Sequence, residues 1–164
     1  MKNYETKRLE TERLIIDKGT SEACKKIYEY DLTKLTGIDG RNELVKSEKE
    51  IDFIGNDSDS YYKECENDKL FDWYIFLRST NEPVANIIAD RENEEEKSIE
   101  VSYNTHPKYW GNGYVPEALK EISNYLKSLG YKKIVAHFYE GNEKSKRVCE
   151  KLGFKFQKKE LDYF

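Results

Sequence analysis

The run Lys108-Tyr109-Trp110-Gly111-Asn112-Gly113-Tyr114 sets two glycines, one residue apart, directly before a strongly amphipathic segment. Glycine lets backbone N–H groups approach a ligand with no Cβ in the way. The start of a helix adds unsatisfied N–H donors and a partial positive charge. Together they predict a cradle for a phosphate or pyrophosphate. A dinucleotide fingerprint needs a third glycine three residues after the second, and that position is Pro116. A P-loop needs Gly-Lys-Ser/Thr at the end of a longer loop, and no such run exists. The competing reading is a plain strand-to-helix turn that happens to use glycines.

The flanking elements sharpen the first of these readings. Ser98 to Asn104 alternates Ile99, Val101 and Tyr103 against Ser98, Glu100 and Ser102, the pattern of a half-buried strand entering the loop. Ala118, Leu119, Ile122, Leu126 and Leu129 mark one face of the helix leaving it. Pro116 sits in its first turn, where the missing N–H costs little, and Gly130 is a stop signal. Ile134 to Phe138 reads as a strand, Asn142 as the N-cap of a second helix ending at Gly153, and Phe154 to Gln157 as the start of a last strand. Upstream, Arg13 to Ile16, Asp72 to Arg78 and Val84 to Asp90 read as strands, with Glu92 to Lys97 as a charged hairpin loop. Helices are expected after Thr20-Ser21, across Leu44 to Ile54 and within Ser58 to Asp68. The expected fold is one α/β domain of the α+β type over residues 1–164. Its sheet is mixed and mostly antiparallel, flanked by helices and short at the C-terminus.

Composition excludes several classes. The chain has 164 residues, 37% hydrophobic and 37% charged, with 13% aromatic residues to supply apolar area. A net charge of −4 with mixed signs argues against nucleic acid as a partner. No apolar run approaches a membrane span and no apolar segment follows Met1, so a cytoplasmic protein is expected. Cys24, Cys65 and Cys149 are odd in number with no C-x-x-C spacing, which favours a reducing compartment. His106 and His137 are too few for a zinc site, and no metal is expected.

Two segments carry a family resemblance. His106-Pro107-Lys108-Tyr109-Trp110-Gly111-Asn112-Gly113-Tyr114-Val115-Pro116-Glu117-Ala118-Leu119 is the first. Asn142-Glu143-Lys144-Ser145-Lys146-Arg147-Val148-Cys149-Glu150-Lys151-Leu152-Gly153-Phe154 is the second. With Glu12-Arg13-Leu14 near the start, they resemble the GNAT acyltransferases, in particular the branch of the ribosomal-protein N-acetyltransferases. The resemblance implies acetyl-CoA as cosubstrate, in a cleft where the strand at Ser98–Asn104 splays from the strand at Ile134–Phe138. It places the pantetheine arm along Ser102, Tyr103 and Asn104, and the pyrophosphate on N–H groups of Trp110, Gly111, Asn112, Gly113 and Tyr114. Lys108 stands where the family has Arg or Gln. It can neutralise phosphate, though without a guanidinium's fork.

The resemblance also implies an activity, transfer of an acetyl group to a primary amine on a peptide N-terminus or a small molecule. Asn142 is either a helix N-cap or a pantetheine contact, and Ser145 either a first-turn serine or a neighbour of the thioester. Cys149 stands where many members carry a Tyr. It is either a proton donor to the departing thiolate or a small buried residue. His137 and Glu100 are the candidate bases, each with a structural alternative. The alternative function is a CoA-binding or interaction module without catalysis. Only 11 residues follow Gly153, so a partner chain, as in a homodimer, is one way to cover the open sheet edge. For the acceptor, the stretch Asp31 to Asp68 offers Asp39, Glu43, Glu48 and Asp52 with Tyr61 and Tyr62, side chains suited to an ammonium group.

Overall fold

The computed structural model describes residues 4–29, 47–136, 147 and 149–154. Six strands form one sheet in sequence order: β1 (Leu9–Glu10), β2 (Leu14–Asp17), β3 (Phe71–Leu77), β4 (Pro83–Asn93), β5 (Ser98–Thr105) and β6 (Lys133–Ala136). Neighbours pair antiparallel from β1 to β5, and β5 and β6 pair parallel. That last pairing requires a crossover, and the Gly loop and the long helix supply it. The mixed, mostly antiparallel sheet flanked by helices agrees with the expectation from sequence.

Two of the described helices carry side-chain caps at their starts. α1 (Ser21–Ile27) is capped by Thr20, whose hydroxyl accepts from the Ala23 N–H at 3.1 Å. α2 (Glu48–Asn56) is capped by Ser47, which accepts from Glu50 N–H. α3 (Ser58–Asn67) follows within two residues. α4 (Tyr114–Ser128) buries Val115, Ala118, Leu119, Ile122 and Leu126, one face at helical spacing.

Successive strand residues point to opposite faces, and the two cores follow from that. Trp73 packs with Ile87, Ile99, Val101 and the apolar face of α4. Tyr74, one residue on, packs with α1 and α2 through Cys24, Ile27 and Ile54. Phe71 and Trp73 stack at 5.2 Å between centroids, and both meet Tyr125 of α4 edge-on. Each of these fully buried large side chains contributes about 1.5–3 kcal/mol by removal from water.

Two boundaries differ from the sequence reading. β4 continues to Asn93, which pairs with Ser98, so the hairpin turn is residues 94–97. A bulge between Asp90 and Asn93, with Arg91 at φ 53°, breaks the alternation that marks a strand in sequence. β1 was not anticipated at all. The expected helical residue Leu44, the strand beyond Ala136 and the strand after Phe154 lie outside the described residues. No described helix is long and apolar enough to cross a membrane. No described group of three or more His, Cys, Asp or Glu could hold a metal ion.

The α1–α3 side of the sheet holds a polar network. Asp72 is fully buried, accepting from the Tyr61 hydroxyl and from Asn86 Nδ2 at 2.6 Å. The same Asn86 nitrogen donates to the Trp73 carbonyl at 2.8 Å, and its oxygen accepts from Tyr28. Satisfied in this way, a buried carboxylate is tolerated; with a partner removed, it is not. Asn86→Ala should therefore cost about 1–3 kcal/mol of stability, read as a lower denaturation midpoint in urea at unchanged m-value. A midpoint equal to that of the parent protein would show that the network contributes nothing.

Candidate active site

The Gly loop joins the end of β5 to α4, through a short 3₁₀ turn at Pro107–Tyr109. His106 caps that turn, its Nδ1 accepting from the Lys108 N–H at 3.2 Å. Trp110 fixes the next step, donating its indole N–H to the Thr105 carbonyl at 3.0 Å. Asn112 turns back on the loop and donates its amide to the carbonyls of Tyr109 and Trp110, at 2.9 and 3.4 Å. Gly111 and Gly113 have φ of 82° and 75°, in the region that L side chains avoid. Among the described residues, a Cβ built at Gly111 would meet nothing within 4 Å, so on that side the space is open.

Gly113 is the N-cap of α4 and, as glycine, makes no side-chain capping bond. The first-turn donors of Tyr114 and Val115 thus reach the helix start without a side-chain cap, and Pro116 removes one donor. An open space beside a positive-φ glycine, next to an uncapped start of a 15-residue helix, fits an anionic group. Lys108 is exposed, with its ammonium 5.4 Å from the Tyr109 ring centroid. Tyr109 donates its hydroxyl to Glu82 at 3.0 Å.

The loop is braced from a distant part of the chain that sequence reasoning did not assign to the site. Arg13, at the entry to β2, donates Nη1 to the Asn112 carbonyl at 3.0 Å and Nε to Glu117 Oε1 at 2.7 Å. Its guanidinium lies 4.7 Å from the Tyr114 ring centroid. Glu117 also accepts from the Thr11 hydroxyl and, at 3.2 Å, from the Arg13 backbone N–H. The only sequence signal was the Glu12-Arg13-Leu14 opening, which says nothing of what Arg13 touches.

The second half of the expected cleft is the end of β6. The β5–β6 pairing runs from Ser98↔Lys133 to Val101↔Ala136, so the described ladder stops just before Ser102, Tyr103 and Asn104. Ser102 and Tyr103 are half-buried and Asn104 is 8% exposed. Cys149 is buried, and its sulfur is 3.7 Å from the Tyr103 hydroxyl. Burial pushes the Cys149 thiol up, and the Tyr103 hydrogen bond works against that. Glu100 lies inside the paired stretch, opposite Val135, and bonds Arg91 at 3.3 Å. It faces Asp90 across β4, whose carboxyl burial pushes up. The expected positions of His137, Asn142 and Ser145 lie outside the described residues, as do Asp39 and Glu43.

Tyr61 and Tyr62 correct an expectation. Expected to face an ammonium group, both hydroxyls bond within the chain, and the Lys18 ammonium lies 5.3 Å from the Tyr62 ring centroid. Tyr61 donates to Asp72, the Tyr62 hydroxyl accepts from the Gly19 N–H, and the two rings meet edge-on at 4.9 Å. Glu48 and Asp52 are exposed, and Asp52 lies 3.8 Å from the Lys25 ammonium.

Comparison with known proteins identifies the family and the fold. Residues 22–155 match the acetyltransferase (GNAT) domain family, and the chain belongs to it. It is 26% identical over 148 residues to an uncharacterized N-acetyltransferase, YoaA, of Bacillus subtilis, covering 89% of this chain and 81% of that protein. A crystal structure of a GNAT-family acetyltransferase from Bacillus anthracis superimposes with a TM-score of 0.66 at 25% identity, covering 90% of this chain and 82% of that one. The microcin C7 self-immunity acetyltransferase MccE, solved with acetyl-CoA and AMP, shares the fold with a TM-score of 0.68 at 14% identity. That superposition covers 87% of this chain and 79% of MccE.

The brace at Glu117 has a pH signature. Burial alone would raise its carboxyl, but hydrogen bonds from Thr11 and Arg13, with the Arg13 charge, outweigh it and hold the group below its ordinary value. A carboxyl lowered in the folded state stabilises fully above its unfolded pKa, about 4.3, and loses that contribution as pH falls through the folded value. Glu117→Gln should therefore lower the melting temperature at pH 7, with the gap to the parent protein narrowing as pH falls below the unfolded carboxyl's range. A gap that is constant with pH would show that the carboxylate charge is irrelevant to the brace.

Proposed function

We propose that the chain transfers an acetyl group from acetyl-CoA to a primary amine, on a peptide N-terminus or a small molecule. The observation that carries this reading is the Gly111–Gly113 loop, a positive-φ turn beside open space that runs into an uncapped helix start. Membership in the acetyltransferase (GNAT) family supports it. Acetyl-CoA supplies an activated acyl group as a thioester. In this reading N–H groups from Trp110 to Tyr114 seat the pyrophosphate, with Lys108 adding charge. Backbone groups of Ser102, Tyr103 and Asn104 line the pantetheine arm.

The chain's chemical part is to take a proton from the incoming ammonium and to give one to the departing thiolate as the new amide forms. For the base we keep His137 and Glu100. Glu100 would first have to be released from Arg91, or share it. For the donor we keep Ser145 and the Cys149–Tyr103 pair. A thiol raised by burial stays protonated at neutral pH, the state that a donor needs. The absence of a long apolar helix among the described residues and the three buried free cysteines are compatible with the cytoplasm.

Thiol release from acetyl-CoA in the presence of peptides, polyamines and aminoglycosides tests the activity. Release above background with at least one amine is expected. Binding of acetyl-CoA without release across the panel would favour a module that binds CoA without catalysis.

The loop is tested by calorimetry on folded variants. Gly111→Val and Gly113→Val should weaken acetyl-CoA binding strongly. Because the positive φ alone strains any β-branched residue, Gly111→Asn is the control, since Asn tolerates that conformation. It should weaken binding by placing a side chain in the open space while costing little stability. Unchanged affinity in all three variants would reduce the loop to a structural turn.

A further inference from the structure

We propose that Arg13 is a positioning residue for the anion-binding loop, acting through the Asn112–Gly113 peptide; this rests on the reading of that loop as the pyrophosphate seat. Arg13 holds a carbonyl of the loop from a distant part of the chain. Its Nη1 donates to the Asn112 oxygen at 3.0 Å. The peptide is trans, so its C=O and N–H point in opposite directions. Fixing the oxygen toward Arg13 fixes the Gly113 N–H away from it, off the packed side of the loop. Among the described residues no backbone carbonyl takes that N–H.

The guanidinium also closes the other side. A Cβ built at Gly113 would lie 3.7 Å from Arg13 Nη2, whereas one built at Gly111 would meet open space. Arg13 thus occupies the back of the loop. Tyr114 stacks beneath the guanidinium at 4.7 Å.

Charge separates positioning from simple attraction. The Arg13 guanidinium is already paired with Glu117 at 2.7 Å, a residue of the first turn of the same helix. A cation kept to neutralise a ligand's phosphate would gain from losing that carboxylate. A cation kept to orient a peptide needs the carboxylate to hold its own planar fork in place. The two roles predict opposite signs for the loss of Glu117.

The experiment measures affinity by calorimetry for acetyl-CoA and for S-acetylpantetheine, which lacks the pyrophosphate. The proteins are the parent, Arg13→Gln, Arg13→Lys and Glu117→Gln. Arg13→Gln should weaken acetyl-CoA by about 10-fold, the loss of one charge-assisted hydrogen bond, and change S-acetylpantetheine by less than about 2-fold. Arg13→Lys, which keeps one donor within reach of Asn112, should recover part of the loss. Glu117→Gln should weaken acetyl-CoA in the same direction.

Stronger binding in Glu117→Gln would overturn the proposal in favour of direct charge attraction. An equal loss for both ligands in Arg13→Gln would overturn it in favour of general destabilisation. If Arg13→Gln does not fold, Glu117→Gln and Arg13→Lys carry the same two contrasts. Acetyl-CoA affinity unchanged in Arg13→Gln but reduced in Gly111→Asn would refute the role of Arg13 alone. Affinity unchanged in both would refute the loop reading with it.

Discussion

A helix start with no side-chain cap leaves its donors waiting for a partner, so something other than capping must hold it in place. In this chain that is the buried stripe of α4. Leu119, Ile122 and Leu126 lock onto the sheet through Trp73, Ile87, Ile99 and Val101, and the Phe71–Trp73 stack abuts Tyr125. Apolar burial of this kind is non-directional, and it sets where the helix lies more firmly than how its first turn is oriented. Orientation comes from Glu117, held by Thr11 and by both the backbone and the side chain of Arg13. The hydrophobic face and the polar brace divide the work of aiming one end of one helix.

The sheet supplies the rest of the geometry. Parallel pairing of β5 with β6 reaches Val101↔Ala136 at the last described residue of β6, and β5 runs on to Thr105 beside β4. The Gly loop leaves from that end of β5, through the 3₁₀ turn at Pro107–Tyr109.

Much of this was legible in sequence, for a stated reason. α4 was visible because its apolar residues recur at helical spacing, and β5 because it alternates. The far end of β4 was not, because a bulge at Asp90 to Asn93 erases the alternation while the pairing continues. β1 is two residues long and exists through its pairing with β2, which no local pattern records. Tyr61 and Tyr62 misled because tyrosines beside carboxylates suit a cation site and a buried hydrogen-bonded network equally well. The burial of Asp72, which decides between them, depends on strands and helices coming together. Arg13 could not be placed on the loop from sequence, since its bonds to Asn112 and Glu117 span 99 and 104 residues.

The carbonyls of Tyr109, Trp110 and Asn112 are all answered from within the chain, by the Asn112 amide and the Arg13 guanidinium. A loop held by its own bonds has its shape before any ligand arrives, and binding then incurs little ordering entropy. As the proposed pyrophosphate seat, it would read only what it touches, and every CoA thioester carries the same pyrophosphate. The preformed loop is therefore blind to the acyl chain. In that reading, any preference for acetyl over a longer acyl group has to be written away from the loop, as near the contact of Tyr103 with Cys149. Acyl selectivity and cofactor affinity would then be free to change independently, one at the strand ends and the other at the helix start.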